Sequence, residues 1–107
     1  MVVSSDTERE AKMRTLIEDA LKRAGAKAGA PVEITRWGHG ESEPELYVLV
    51  GGQRRVLEVS EEFLEDEPDG DALRKVAAAA REIVEGDARR VQLFHRGVFA
   101  AYGGVRV

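Results

Sequence analysis

The chain has 107 residues, a formal net charge of −4 and 34% charged side chains. That length fits one domain with a modest core, so we predict a single domain over residues 1–107. The absence of cysteine excludes disulfides and thiolate metal sites. The acidic balance argues mildly against non-specific binding to nucleic acid, because such binding depends on neutralising phosphates.

Two features of the sequence set the expected location. The first residues lack the basic segment and the apolar core of a signal peptide. No apolar run reaches the roughly 20 residues that a membrane span needs. We therefore expect a cytoplasmic protein that does not associate with membranes.

The first element is predicted to be an amphipathic helix. Apolar residues recur at helical spacing between Met13 and Ala24, after a capping-box pattern that begins at Ser5. We predict this helix over residues 6–24. Alternating apolar residues then predict a strand at 32–37, and two further strand-like runs, 45–50 and 54–59, flank a glycine turn.

The turn between those two runs allows two registers. A turn centred on Gly52-Gln53 places Val48 opposite Leu57, whereas a turn centred on Gly51-Gly52 places Val48 opposite Arg55. We predict the first register, because it aligns more apolar side chains on one face of the hairpin.

The rest of the chain predicts helices and a second hairpin. Ser60 can cap a short helical turn, and Asp71 is the expected cap of a longer helix that buries Leu73. Strand-like runs follow at 90–95 and 98–102. The order α-β-β-β-α-β-β predicts an α+β domain, with an antiparallel sheet and helices packed on one of its faces.

The second hairpin is apolar on both faces. Leu93 and Val98 share one face, whereas Phe94 and Phe99 are expected to meet on the other. Because helices cover only one face, surplus apolar surface is left at the sheet edge, which is typical of an interface. We predict a non-catalytic domain that binds protein or self-associates as a homodimer. The predicted interface residues are Phe94, Val98, Phe99 and Tyr102.

A glycine-flanked segment offers a second hypothesis. Trp37, His39 and Glu41 combine an aromatic ring, an imidazole and a carboxylate, and a histidine near a carboxylate can act as a base. No nucleophile or orienting third group accompanies them, so a small enzyme is the more distant alternative. The competing interpretation is a loop from which Trp37 folds onto the core.

Arginines suggest a third possibility, a nucleic-acid-binding module. If the hairpins are neighbours, their arginines form a basic stripe beside the phenylalanine rings, which offer stacking surfaces. The simpler interpretation is that these arginines solvate the strand ends. The candidate residues are Arg54, Arg55, Arg89, Arg90 and Arg96, with Arg36 nearby.

No cofactor or metal site is predicted. The acidic run at 65–71 lacks the glutamate that ends an EF-hand loop. The two histidines are far apart in sequence and do not by themselves form a zinc site.

Residues 46–86 resemble the YbaB-type nucleoid-associated family. The run VxVGGxxxxLEVSEEFLEDEPDGDALRKVAAAAREI is similar to that family in its order of hairpin, acidic turn and amphipathic helix. The resemblance implies a DNA-binding dimer. The chain departs from the family at both ends, with a short first helix and a hairpin in place of a flexible tail. The element order also resembles small acidic secretion chaperones, which dimerise and bind partner segments, although their usual final helix has no counterpart here.

Overall fold

The computed structural model describes residues 5–39, 43–65, 68–86, 88–94 and 97–101. These residues form three helices and five strands. Their bounds are α1 (Ser5–Ala28), β1 (Val32–His39), β2 (Pro44–Val50), β3 (Gln53–Val59), α2 (Glu61–Glu65), α3 (Gly70–Glu85), β4 (Arg90–Phe94) and β5 (Gly97–Ala101). The predicted α+β class and element order are confirmed.

The five strands lie in the sheet in their sequence order, from β1 to β5. Neighbouring strands are antiparallel except β3 and β4, which are parallel. The sheet is therefore mixed instead of wholly antiparallel. The physical reason is the connection: α2 and α3 carry the chain back along the sheet before β4 begins, as a parallel pair requires.

The core lies between the helices and one face of the sheet. From α1, Met13, Ile17 and Leu21 are at most 1% exposed, and their spacing of four residues places them on one side of the helix. Helices α2 and α3 add further buried side chains, among them Phe63, Val76 and Ile83. The sheet contributes valine and leucine side chains of β2, β3 and β4: Leu46, Val48, Leu57, Val59, Val91 and Leu93. Helix α1 continues past the predicted end to Ala28 and stops at Gly29, whose φ of +72° suits a helix terminus.

Helix α3 begins with a different cap from the one predicted. The side chain of Asp69, not Asp71, accepts a hydrogen bond of 2.8 Å from the backbone N–H of Ala72. Asp71 instead lies in the first turn and pairs with Arg74. Leu73 of this helix is 47% exposed, although the helical pattern predicts that it is buried.

The predicted register of the first hairpin is wrong. Val48 lies opposite Arg55, and the turn is Gly51-Gly52. Both glycines have positive φ, 56° and 84°, as a type I′ turn requires. Arg55 consequently faces the helices, where its guanidinium donates to two carbonyls just after α3, that of Gly86 at 3.0 Å and that of Ala88 at 2.6 Å. These bonds stabilise a register that the apolar pattern alone disfavours.

We expect Gly52→Ala to lower the free energy of unfolding by about 1 kcal/mol, because a Cβ is costly at positive φ. The matched control is Gly70→Ala, at the start of α3, where an added Cβ has no atom within 4 Å and φ is not positive. Urea denaturation measures both. Equal losses in the two variants, or no loss in Gly52→Ala, would contradict the turn assignment.

Candidate functional site

One face of the sheet is not covered by the helices. Side chains alternate along each strand, so residues next to the core leucines and valines point away from the helices. We call this surface the helix-free face. It carries Arg36, Glu45, Tyr47, Leu49, Arg54, Val56, Glu58, Arg90, Gln92, Phe94 and Phe99.

A cluster of charged side chains occupies the middle of the helix-free face. Glu45 and Glu58 are directly opposite each other on β2 and β3, and they are only 9% and 7% exposed. Like charges in that arrangement are unfavourable. Arg90 of β4 resolves the conflict, because its Nη2 donates to Glu45 and, at 2.6 Å, to Glu58. Gln92 adds a bond of 3.3 Å to Glu58. We call Glu45, Glu58 and Arg90 the ion cluster.

Tyr47 connects the ion cluster to its surroundings. Its hydroxyl donates to Glu45 at 2.5 Å. This hydrogen bond, followed by that from Arg90, lowers the pKa of Glu45 below its ordinary value, and the same bond raises the pKa of Tyr47. The pKa of Arg90 is raised, chiefly by its bond to Glu45. The members of the ion cluster are thus charged and hydrogen-bonded to one another. The cluster links β2, β3 and β4 at the centre of the helix-free face and does not offer a free acid or base.

The phenylalanine pair lies at the β4–β5 side of the face. The rings of Phe94 and Phe99 meet as predicted, with centroids 6.3 Å apart in an edge-to-face arrangement. Phe99 is 49% exposed and belongs to an edge strand. Val98 does not join them: it pairs with Leu93 and packs against the core on the other side. Tyr102 lies outside the described residues.

Strand β1 extends beyond the predicted strand at 32–37 and includes Gly38 and His39 of the predicted loop. Trp37 pairs with Leu46 and His39 with Pro44, so both belong to β1. Trp37 is partly buried against the core, and its indole N–H donates to Glu18 of α1 at 2.6 Å. The competing interpretation, in which Trp37 folds onto the core, describes it better. His39 is exposed at the strand end, and Glu41 lies outside the described residues.

The arginines predicted to bind nucleic acid are only partly brought together. Arg54, Arg55 and Arg89 line one cavity of about 510 Å³ at the turn end of the sheet. Arg55 is occupied by backbone carbonyls, and Arg90 belongs to the ion cluster. Arg54 and Arg89 remain exposed, whereas Arg96 lies outside the described residues. Nucleic-acid binding stays a prediction.

Sequence reasoning missed two parts of the face. The first is the ion cluster, although Glu45 and Glu58 were visible as acids within apolar strands. The second is a depression of about 650 Å³ on the β1–β3 side, where Arg36, Tyr47 and Arg54 surround an apolar floor. Arg36, Tyr47 and Arg54 come together only through the pairing of β1, β2 and β3. No local sequence pattern therefore predicts the depression.

Comparison of the chain with models of known families, with curated proteins and with solved structures finds no match. Among the described residues, no group of acids and histidines is placed to hold a metal ion. Within the same part of the chain, no helix combines the length and hydrophobicity needed to span a bilayer. Any functional assignment therefore depends on the geometry of the helix-free face.

We expect Arg90→Gln to lower the free energy of unfolding at neutral pH by about 2 kcal/mol, because it leaves Glu45 and Glu58 face to face. The loss is below that for a fully buried pair, since the Arg90 side chain is 39% exposed. Denaturation of wild type and variant at several pH values measures it.

The sign of the pH dependence follows from the lowered pKa of Glu45. In wild type, that carboxylate stabilises the fold fully above its ordinary pKa, and the stabilisation disappears as pH falls through the folded value. The difference between wild type and Arg90→Gln therefore shrinks in acid. Arg74→Gln, which breaks an ion pair whose side chains are 79% and 61% exposed, is the control and changes stability little. A loss in Arg90→Gln that does not vary with pH would argue against the ion cluster.

Proposed function

We propose that the protein is a non-catalytic domain that self-associates through the phenylalanine pair on its helix-free face. The observation that supports this proposal is the position of Phe99, a large apolar side chain 49% exposed on the edge strand of the sheet. Large apolar side chains clustered beside an unpaired strand edge are a common feature of interfaces.

The residues around the phenylalanine pair can be removed from water at little cost. Gln92, uncharged, is the cross-strand partner of Phe99, and Gly97 is the partner of Phe94. The one charged residue of the described strands β4 and β5 is Arg90, and it is paired with Glu45 and Glu58. The nearby carboxylates already have their partner in Arg90. A two-fold contact would place the Phe99 ring of one copy against the same patch of the other, so one exposed ring contributes twice to the interface.

We expect wild-type protein to be a dimer in sedimentation equilibrium and Phe99→Asp to be a folded monomer. An aspartate in the contact would bury an unpaired charge in both copies. Leu73→Asp is the matched control, because Leu73 is 47% exposed on α3 and lies away from the sheet face. Asp at that position lies in the first turn of the helix, where a negative charge is favourable. The control should dimerise like wild type.

Three outcomes would contradict the proposal. They are a wild type that is monomeric at all concentrations, a Phe99→Asp that stays dimeric, and a Leu73→Asp that alone becomes monomeric. Circular dichroism of Phe99→Asp separates loss of the dimer from loss of the fold. A monomeric wild type that binds duplex DNA in a salt-dependent way would favour the nucleic-acid prediction instead.

A further inference from the structure

We infer that the β1–β3 side of the helix-free face binds a small organic acid with an apolar or aromatic body. The site is the depression of about 650 Å³ described above. We call it the cationic depression. This inference is independent of the proposed self-association, which uses the β4–β5 side of the same face.

The cationic depression has the size and lining of a small-ligand site. Pockets for small molecules occupy roughly 300–1,000 Å³ and combine apolar walls with a few convergent polar groups. Here the apolar lining comes from Leu49 and Val56, which are partly buried, and from the ring of Tyr47. Arg36 and Arg54 supply cationic side chains to the lining, which also includes Thr35 and Arg55. The guanidinium of Arg55 already donates to the carbonyls of Gly86 and Ala88.

Arg36 is positioned before any ligand arrives. Its guanidinium lies over the ring of Tyr47, 4.5 Å from the centroid. Gly38 allows this stack, because a Cβ there would come within 2.6 Å of the Arg36 Nη1 and 2.8 Å of the Tyr47 Cε2. Tyr47 is in turn held by its hydrogen bond to Glu45. A guanidinium already held over a ring loses less freedom when it binds a carboxylate, phosphate or sulfonate.

The charges of the depression are available to a ligand. Within the part of the chain that the structure describes, neither Arg36 nor Arg54 forms an ion pair. The nearest buried acids, Glu45 and Glu58, are taken by Arg90. Glu33 is the cross-strand partner of Leu49, but it is exposed and does not line the depression. An oxyanion is therefore the group that Arg36 and Arg54 are placed to bind. The apolar lining favours a ligand in which that oxyanion is attached to an apolar or aromatic body.

The dye 8-anilinonaphthalene-1-sulfonate is a suitable probe, because it joins a sulfonate to an aromatic body. N-Phenyl-1-naphthylamine has the same body without the charge. In fluorescence titrations, we expect the wild type to bind the sulfonate at least tenfold more tightly than the amine. Arg36→Gln/Arg54→Gln should weaken sulfonate binding roughly tenfold or more, since charge-assisted hydrogen bonds are lost. Inorganic phosphate should compete poorly, because it lacks the apolar body.

The matched control is Arg23→Gln/Arg81→Gln, which removes the same charge from the groove between α1 and α3. That groove also has cations around an alanine floor, so it is the strongest competing site. We expect this control and Phe99→Asp to bind the sulfonate like wild type.

The inference is overturned if the wild type binds no dye at millimolar concentration, or binds both dyes equally. It is also overturned if the helix-groove variant or Phe99→Asp loses binding while Arg36→Gln/Arg54→Gln retains it. None of these outcomes bears on the dimer, because oligomeric state is measured without dye.

Discussion

The helix-free face depends on one interaction, the bridge that Arg90 makes between Glu45 and Glu58. The register of β2 and β3 places these two carboxylates opposite each other, mostly out of contact with water. Separate charges in that position would oppose folding. Arg90 of β4, which is the strand partner of Val56, offsets this repulsion by donating hydrogen bonds to both carboxylates. The bridge therefore connects the β2–β3 hairpin to the β4–β5 hairpin across the parallel strands β3 and β4.

The ion cluster also divides the face into two surfaces of different chemistry. Because both acids are taken by Arg90, Arg36 and Arg54 on the β1–β3 side form no ion pair among the described residues. On the β4–β5 side, the cross-strand partners of the phenylalanine pair, Gln92 and Gly97, are uncharged. One arrangement of charge thus favours a ligand anion on one side and an apolar contact on the other, and the two proposals follow from the same geometry.

Local patterns predicted the elements well and their pairing less well. Helical periodicity identified α1 and α3, and alternation identified the strands and the meeting of Phe94 with Phe99. The hairpin register failed because Arg55 faces the helices, where it binds two carbonyls more than thirty residues away. The ion cluster was invisible for a similar reason, since Arg90 is distant in sequence from both of its acids. Pairing that rests on such long-range polar contacts leaves no periodic signal.

The pKa of the Glu45 carboxyl, followed by carbon-13 NMR during a pH titration, tests the central bridge most directly. Hydrogen bonds from Tyr47 and Arg90 lower this pKa. The wild-type carboxyl should therefore titrate below its ordinary range, and Arg90→Gln should raise the pKa by removing one donor and leaving Glu58 opposite. A wild-type Glu45 that titrates at its ordinary pKa, unchanged by Arg90→Gln, would contradict the account.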